Sequence, residues 1–107
     1  MLLDSASLYF RAFFGVPTSV TSPDGAPVNA VRGFLDMVAT LVTSHPPTRL
    51  VACWDDDWRP DFRVQALPSY KAHRLVPGST HIEESPPELT AQVPVIVDVL
   101  AALGVAR

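Results

Sequence analysis

A chain of 107 residues, 48% of them hydrophobic, is long enough for one domain, or for part of a larger one, with a genuine core. A formal net charge of -3 and an isoelectric point of about 5.4 exclude binding to nucleic acid by bulk electrostatics alone, so any such function rests on local clusters. The longest apolar run, Val93 to Leu103, is interrupted by Pro94 and Asp98 and is too short to cross a bilayer, and no basic segment precedes an apolar one at the N-terminus, so neither membrane span nor secretory signal is expected.

In chain order, Met1 to Asp4 reads as a short strand and Ser5 to Phe14 as a helix. Leu8, Phe10, Phe13 and Phe14 form that helix's apolar set, and Gly15 is expected to close it in a left-handed conformation. Val16 to Ala26 contains Pro23-Asp24-Gly25, a turn signal, and Pro27 suits the first turn of the next helix. There Val28, Val31, Phe34, Leu35, Val38, Leu41 and Val42 recur at spacings of three and four, giving one apolar face. Ser44-His45-Pro46-Pro47 ends it, and Leu50 to Trp54 reads as a buried strand. Its cysteine, Cys53, the only one in the chain, is expected to be a reduced, packed thiol of a cytosolic protein. Parallel pairing of the two strands through a right-handed crossover is the default.

Arg59 to Arg74 reads as a loop with short helical pieces broken at Pro68, and Val76 to Ser85 as a polar, mobile stretch. Ser85 and Glu88 have capping-box spacing ahead of a helix carrying Leu89, Val93, Ile96, Val97, Leu100 and Leu103. Pro94 is expected to kink this helix and Gly104 to close it. Val105-Ala106-Arg107 reads as the approach to another strand.

Chemistry concentrates between Leu50 and Arg74. Asp55, Asp56 and Asp57 follow the apolar run at once, where open α/β sheets place their ligand sites. The charge then changes sign: Arg59, Arg63, Lys71 and Arg74 face the single acid Asp61, with Phe62, Tyr70 and His73 interleaved. Acids suited to a metal, followed by cations suited to phosphate, point to chemistry on a phosphodiester. His45, His73 and His81 lack metal spacing, and the glycine-rich phosphate loop, the dinucleotide fingerprint, the paired-cysteine motif and the nucleophile elbow are all missing.

Three segments resemble one family. Trp54-Asp55, Phe62-Arg63 and Pro68-Ser69-Tyr70-Lys71-Ala72-His73-Arg74 look like the signature of bacterial 5′-3′ exonucleases and flap endonucleases, found alone or at the start of DNA polymerase I. Leu2-Leu3-Asp4 with Leu8-Tyr9-Phe10-Arg11-Ala12-Phe13 is similar to that family's opening strand and helix, and Gly25-Ala26-Pro27 through Gly33-Phe34 to its next helix start. The resemblance implies an α/β fold: the N-terminal part of a three-layer, PIN-like 5′ nuclease fold, with a mostly parallel sheet flanked by helices.

It also implies roles. Asp4 matches the family's first metal-binding aspartate and Asp55 the second, for Mg²⁺ or Mn²⁺. On residue type alone Asp4 reads first as a helix N-cap, and the metal reading overtakes this only when Asp4 is paired with Asp55. Counting back from Phe62-Arg63 makes Asp56 the ligand instead; Asp55 is preferred because the apolar run marks the strand end. Lys71 and Arg74 match residues that approach the phosphate to be cut, and Arg63 and Arg11 match DNA contacts. The bland alternatives are a solvated face for Arg63, Lys71 and Arg74 and a helix-surface ion pair for Arg11. Tyr70 reads equally as a base-stacking ring or a core-edge aromatic.

The family's acid-rich Glu-Ala-Asp-Asp type of motif and its later helix-hairpin-helix-like module have no counterpart here, and Glu83, Glu84 and Glu88 do not replace them. The two-metal site is therefore expected to be incomplete, and residues 1–107 are expected to be the N-terminal portion of a longer cytoplasmic enzyme, inactive alone. DNA with a 5′ flap, nick or end is the implied partner, with no membrane. The alternatives are a non-catalytic DNA-binding or partner-binding module on the same half-fold, and an unrelated α/β domain whose acids only cap loops.

Overall fold

The first strand, β1 (Leu2–Asp4), runs without a break into α1 (Ser5–Gly15). The computed structural model, which describes residues 1–55, 58–77 and 85–107, continues with α2 (Asn29–Ser44), β2 (Val51–Cys53), α3 (Asp61–Ala66), a 3₁₀ turn (Ala72–Arg74) and α4 (Pro87–Ala102). The chain divides into two compact units, residues 1–54 with 87–107, and residues 55–86.

In the first unit β1 and β2 pair in parallel, with Leu2 opposite Val51, Leu3 opposite Ala52 and Asp4 opposite Cys53. The crossover between them is the α1–α2 hairpin, as the element order predicts. Ala106 bridges Val51 in parallel, and the Ala52 N–H donates to the Ala106 carbonyl at 2.8 Å. The expected strand approach at Val105–Arg107 therefore lies along β2, which sits between β1 and Ala106. The core comprises Leu3, Ala12, Val31, Phe34, Ala52, Ile96 and Leu100.

Helix periodicity placed Val31, Phe34, Ile96 and Leu100 in this core, but in α1 the core residue is Ala12 and none of Leu8, Phe10, Phe13 and Phe14 is fully buried. Phe34, Ile96 and Leu100 are at most 1% exposed, yet Phe14 is 72% and Leu103 63% exposed. Phe14 lies in the last turn of α1, and Leu103 lies just past the end of α4, in the turn that follows it. Among the residues of α1 only Ser5 and Ala12 are fully buried. A small residue at position 12 matters because α2 crosses there: a Cβ built on Gly33 would stand 2.7 Å from the Ala12 Cβ and 3.0 Å from a Val16 methyl. Gly33→Ala is expected to cost about 1–3 kcal/mol by overpacking this crossing, read as a lower urea midpoint at unchanged slope.

Several turn expectations are corrected. Gly15 stays helical and the chain leaves α1 through Val16 in an extended conformation; the left-handed glycines are Gly25, at φ 89°, and Gly104, at φ 73°. Pro27 does not enter α2. It forms an antiparallel bridge with Thr21 across the Pro23-Asp24-Gly25 turn, and α2 begins only at Asn29. That turn is tied by Asp24, whose carboxylate accepts from the Ser22 hydroxyl and the Ala26 N–H, both of which hold its pKa below the ordinary value. Cys53 is exposed rather than packed, because the pleat that buries Ala52 turns its neighbour outward. Pro94 sits inside α4, which continues on both sides of it.

A buried polar cluster has no counterpart in the sequence reading. Asn29 and Gln92 are 0% and 2% exposed. The Asn29 amide donates to the carbonyls of Phe13 and Val16, both at 2.9 Å, while its oxygen accepts from Gln92 at 2.9 Å. Gln92 in turn accepts from the Ala30 and Val31 N–H groups, at 2.8 and 3.2 Å, and donates to the Glu88 carbonyl at 3.1 Å. Since α2 has no side-chain cap of its own, Gln92 of α4 satisfies two of its orphan donors.

The second unit has another construction. Among its described residues none is fully buried. Helix α3 is one and a half turns long, and the expected break at Pro68 falls after it. Asp56, Asp57 and most of the polar stretch from Val76 to Ser85 lie outside the described residues.

Candidate functional site

Asp4 ends β1 and begins α1. Its Oδ1 accepts from the Ser7 N–H at 3.3 Å and its Oδ2 from the Ser7 hydroxyl at 2.8 Å, so the N-cap role is realised. The carboxylate stays exposed, which leaves oxygen lone pairs facing solvent. The parallel register sets Asp4 opposite Cys53, two residues before Asp55 along the chain. Asp55 opens the second unit and is exposed. Asp56, the competing candidate, lies outside the described residues. Among those residues no group of three or more His, Cys, Asp or Glu side chains could hold a metal ion.

The four cations of the second unit do different jobs. Arg59 is a scaffold: its Nε donates to the Tyr70 carbonyl at 2.8 Å and its Nη2 to the Pro68 carbonyl at 2.9 Å. Lys71 donates from Nζ to the Trp58 carbonyl at 3.0 Å and adopts the left-handed conformation, φ 52°, which few non-glycine residues occupy. Backbone strain of this kind costs on the order of 1–3 kcal/mol and collects at functional positions. Arg63 donates to the Tyr70 hydroxyl at 2.8 Å. Arg74 ends the 3₁₀ turn with an exposed side chain that has no hydrogen bond or ion pair among the described residues.

The guanidinium of Arg63 pulls the Tyr70 phenol below its ordinary pKa, chiefly through their hydrogen bond and with help from Lys71. The sign is that of an acid stabilised in its charged form. This contribution is present above the unfolded tyrosine pKa, about 10, and is lost as pH falls through the lower folded value. Arg63→Ala is expected to move the Tyr70 midpoint upward in an ultraviolet titration of tyrosinate, and an unmoved midpoint contradicts the pairing.

Arg11 lies apart from these groups in the chain, in the first unit. It is exposed and lines a shallow groove of about 330 Å³ with Leu8, Asp36, Met37 and Thr40. Asp36 is paired with Arg32 at 4.0 Å, and no ion pair reaches Arg11 among the described residues.

The family model for the 5′-3′ exonuclease N-terminal resolvase-like domain matches residues 1–107. The chain belongs to that family. A 5′-3′ exonuclease of Streptomyces coelicolor is 62% identical over 110 residues, covering 100% of this chain and 36% of the relative. One from Mycobacterium tuberculosis is 56% identical, covering 99% of this chain and 35% of the relative. DNA polymerase I of Mycobacterium bovis is 38% identical over 106 residues, 11% of its length. This member of the resolvase-like family thus spans about a third of the exonuclease relatives it matches. Its small parallel sheet with helices agrees with the α/β class that the resemblance implies. No helix among the described residues is long and apolar enough to cross a membrane.

Sequence reasoning missed Arg59 as the residue that holds the cationic segment together. Its target carbonyls, on Pro68 and Tyr70, lie nine and eleven residues away. No local spacing rule connects such positions, and only a Pro that frees its neighbours from regular structure hints that carbonyls are available.

Proposed function

We propose that this chain forms the N-terminal part of a metal-dependent 5′-3′ exonuclease or flap endonuclease acting near the 5′ ends of DNA in bacterial replication and repair. The observation that carries this reading is the register that seats Asp4 beside the strand end leading to Asp55. Asp4 and Asp55 supply carboxylate oxygens of the kind a hard ion such as Mg²⁺ or Mn²⁺ prefers, and its other ligands come from outside the described residues. Such an ion, when bound, supplies an activated water and charge neutralisation. In such a hydrolysis a water oxygen would bond to phosphorus and give up a proton to solvent, while the bond to the leaving oxygen would break and that oxygen would take up a proton.

The chain's own part is to grip the strand. Arg74 and Lys71 neutralise the phosphate to be cut, with Arg63 and Arg11 contacting the flanking backbone and Tyr70 stacking on a base. Lys71 donates one ammonium proton to the Trp58 carbonyl and carries its positive charge to the phosphate. Residues 1–107 alone are expected to show little or no activity, because two carboxylates hold divalent ions weakly. Mg²⁺-dependent cleavage of a 5′-flap substrate by this chain, abolished by Asp55→Ala, overturns that expectation.

A second reading is a non-catalytic DNA-binding module, for which the cations and rings gathered at Phe62, Arg63, Tyr70 and Lys71 would serve without a metal. Its mark is salt-sensitive DNA binding indifferent both to Mg²⁺ and to loss of Asp4.

A further inference from the structure

Three elements of the first unit meet on one ring. Trp54 follows the last residue of β2 and packs, half-buried, against the hydrophobic core. The Tyr9 ring of α1 stands 5.8 Å from it, centre to centre, with the two planes tilted by 46°. The Arg107 guanidinium carbon, one residue beyond the Ala106 bridge to Val51, lies 5.5 Å from the same ring centre. Offset aromatic pairs at this separation and a cation over an indole face are both attractive contacts with a preferred geometry.

The two carboxylates read above as metal ligands belong to the two sides of this contact. Asp4 caps the helix that carries Tyr9, and Asp55 is bonded to Trp54 itself. The ladder between the strands ends with the pair Asp4 and Cys53, so past Cys53 the path of the chain is set by what Trp54 packs against. We infer that Trp54 is a positioning residue for the divalent ion: its ring, held by Tyr9 and Arg107, fixes the backbone from which Asp55 projects to the helix that Asp4 caps. This rests on the metal reading of Asp4 and Asp55. Groups that orient ligands without touching the ion commonly set its affinity as strongly as this requires. A purely structural role for the ring would lower stability and leave the affinity of the folded protein unchanged.

The test is Mn²⁺ binding followed by electron paramagnetic resonance, under conditions where far-ultraviolet circular dichroism shows each variant folded. Trp54→Leu keeps apolar bulk and removes the ring, and is expected to weaken Mn²⁺ binding by about 10-fold or more. Trp54→Phe, which still offers a ring to Tyr9 and Arg107, is expected to restore most of that loss. Tyr9→Leu alters neither Trp54 nor a carboxylate and is expected to weaken binding as well. The double variant with Trp54→Leu is expected to lose little more than either single one, since both remove the same contact. Native Mn²⁺ affinity in folded Trp54→Leu overturns the inference, as does a Trp54→Phe variant as weak as the leucine one or fully additive losses in the double variant. If Trp54→Leu does not fold, native affinity in Tyr9→Leu overturns it alone. A native chain without saturable Mn²⁺ binding overturns the metal reading itself and this inference with it, a result distinguishable because it needs no variant of the ring cluster.

Discussion

Gln92→Leu is expected to lower the stability of the first unit by about 3–5 kcal/mol, a large share of the roughly 5–15 kcal/mol that holds a domain folded. Leucine fills nearly the same volume, so the loss does not come from a cavity. It comes from three groups that keep their burial and lose their partner: the Ala30 and Val31 N–H groups and the Asn29 amide oxygen. Each such orphan costs about 1–3 kcal/mol, less whatever relaxation allows. Asn29 would then hold the end of α1 through Phe13 and Val16 with one side of its amide unpaired. In a double-mutant cycle with Asn29→Ala the two losses are expected to fall short of additive, since both remove the same bond. Urea denaturation checks this, and a change below about 1 kcal/mol for Gln92→Leu means the cluster is not what couples α4 to α2.

The second large effect concerns Asp4. Two roles meet on one side chain, a helix cap and a metal ligand, and substitution separates them. Asn caps a helix about as well as Asp, so Asp4→Asn is expected to leave stability within about 0.5 kcal/mol. Asp4→Ala removes the cap as well and is expected to cost about 1 kcal/mol. In a polypeptide that also carries the downstream two thirds found in the relatives, Asp4→Asn is expected to cut flap cleavage by about 10³-fold or more, as several kcal/mol of metal stabilisation are lost. Equal activity of Asp4→Asn and native protein leaves the cap as the only role.

How far the residues foretold this molecule depends on the range of the interaction. Leu2 to Asp4, the α2 periodicity and the Leu50–Trp54 run are local patterns, and they located both strands and their parallel pairing. The Pro23-Asp24-Gly25 turn and the Gly104 stop are local too, and both were legible. Gly15 was misread because a glycine after a helical pattern permits a left-handed exit without requiring one. Cys53 was misread because a strand of three residues turns its outer members away from the neighbour that it buries. Gln92 was invisible for another reason: its partners lie 61 to 63 residues away, and an amide amid apolar helix residues carries no mark of what it will meet. Of the candidate site, the residue types and their order were legible. The division of labour among Arg59, Arg63, Lys71 and Arg74 was not, since it depends on which carbonyls the loop turns toward them.

Mn²⁺ binding to the 107-residue chain, followed by electron paramagnetic resonance, is the most direct measurement of the metal reading. The account predicts weak but saturable binding to the native chain, lost in Asp4→Asn and in Asp55→Asn while both variants remain folded. Undiminished Mn²⁺ binding in either variant contradicts it.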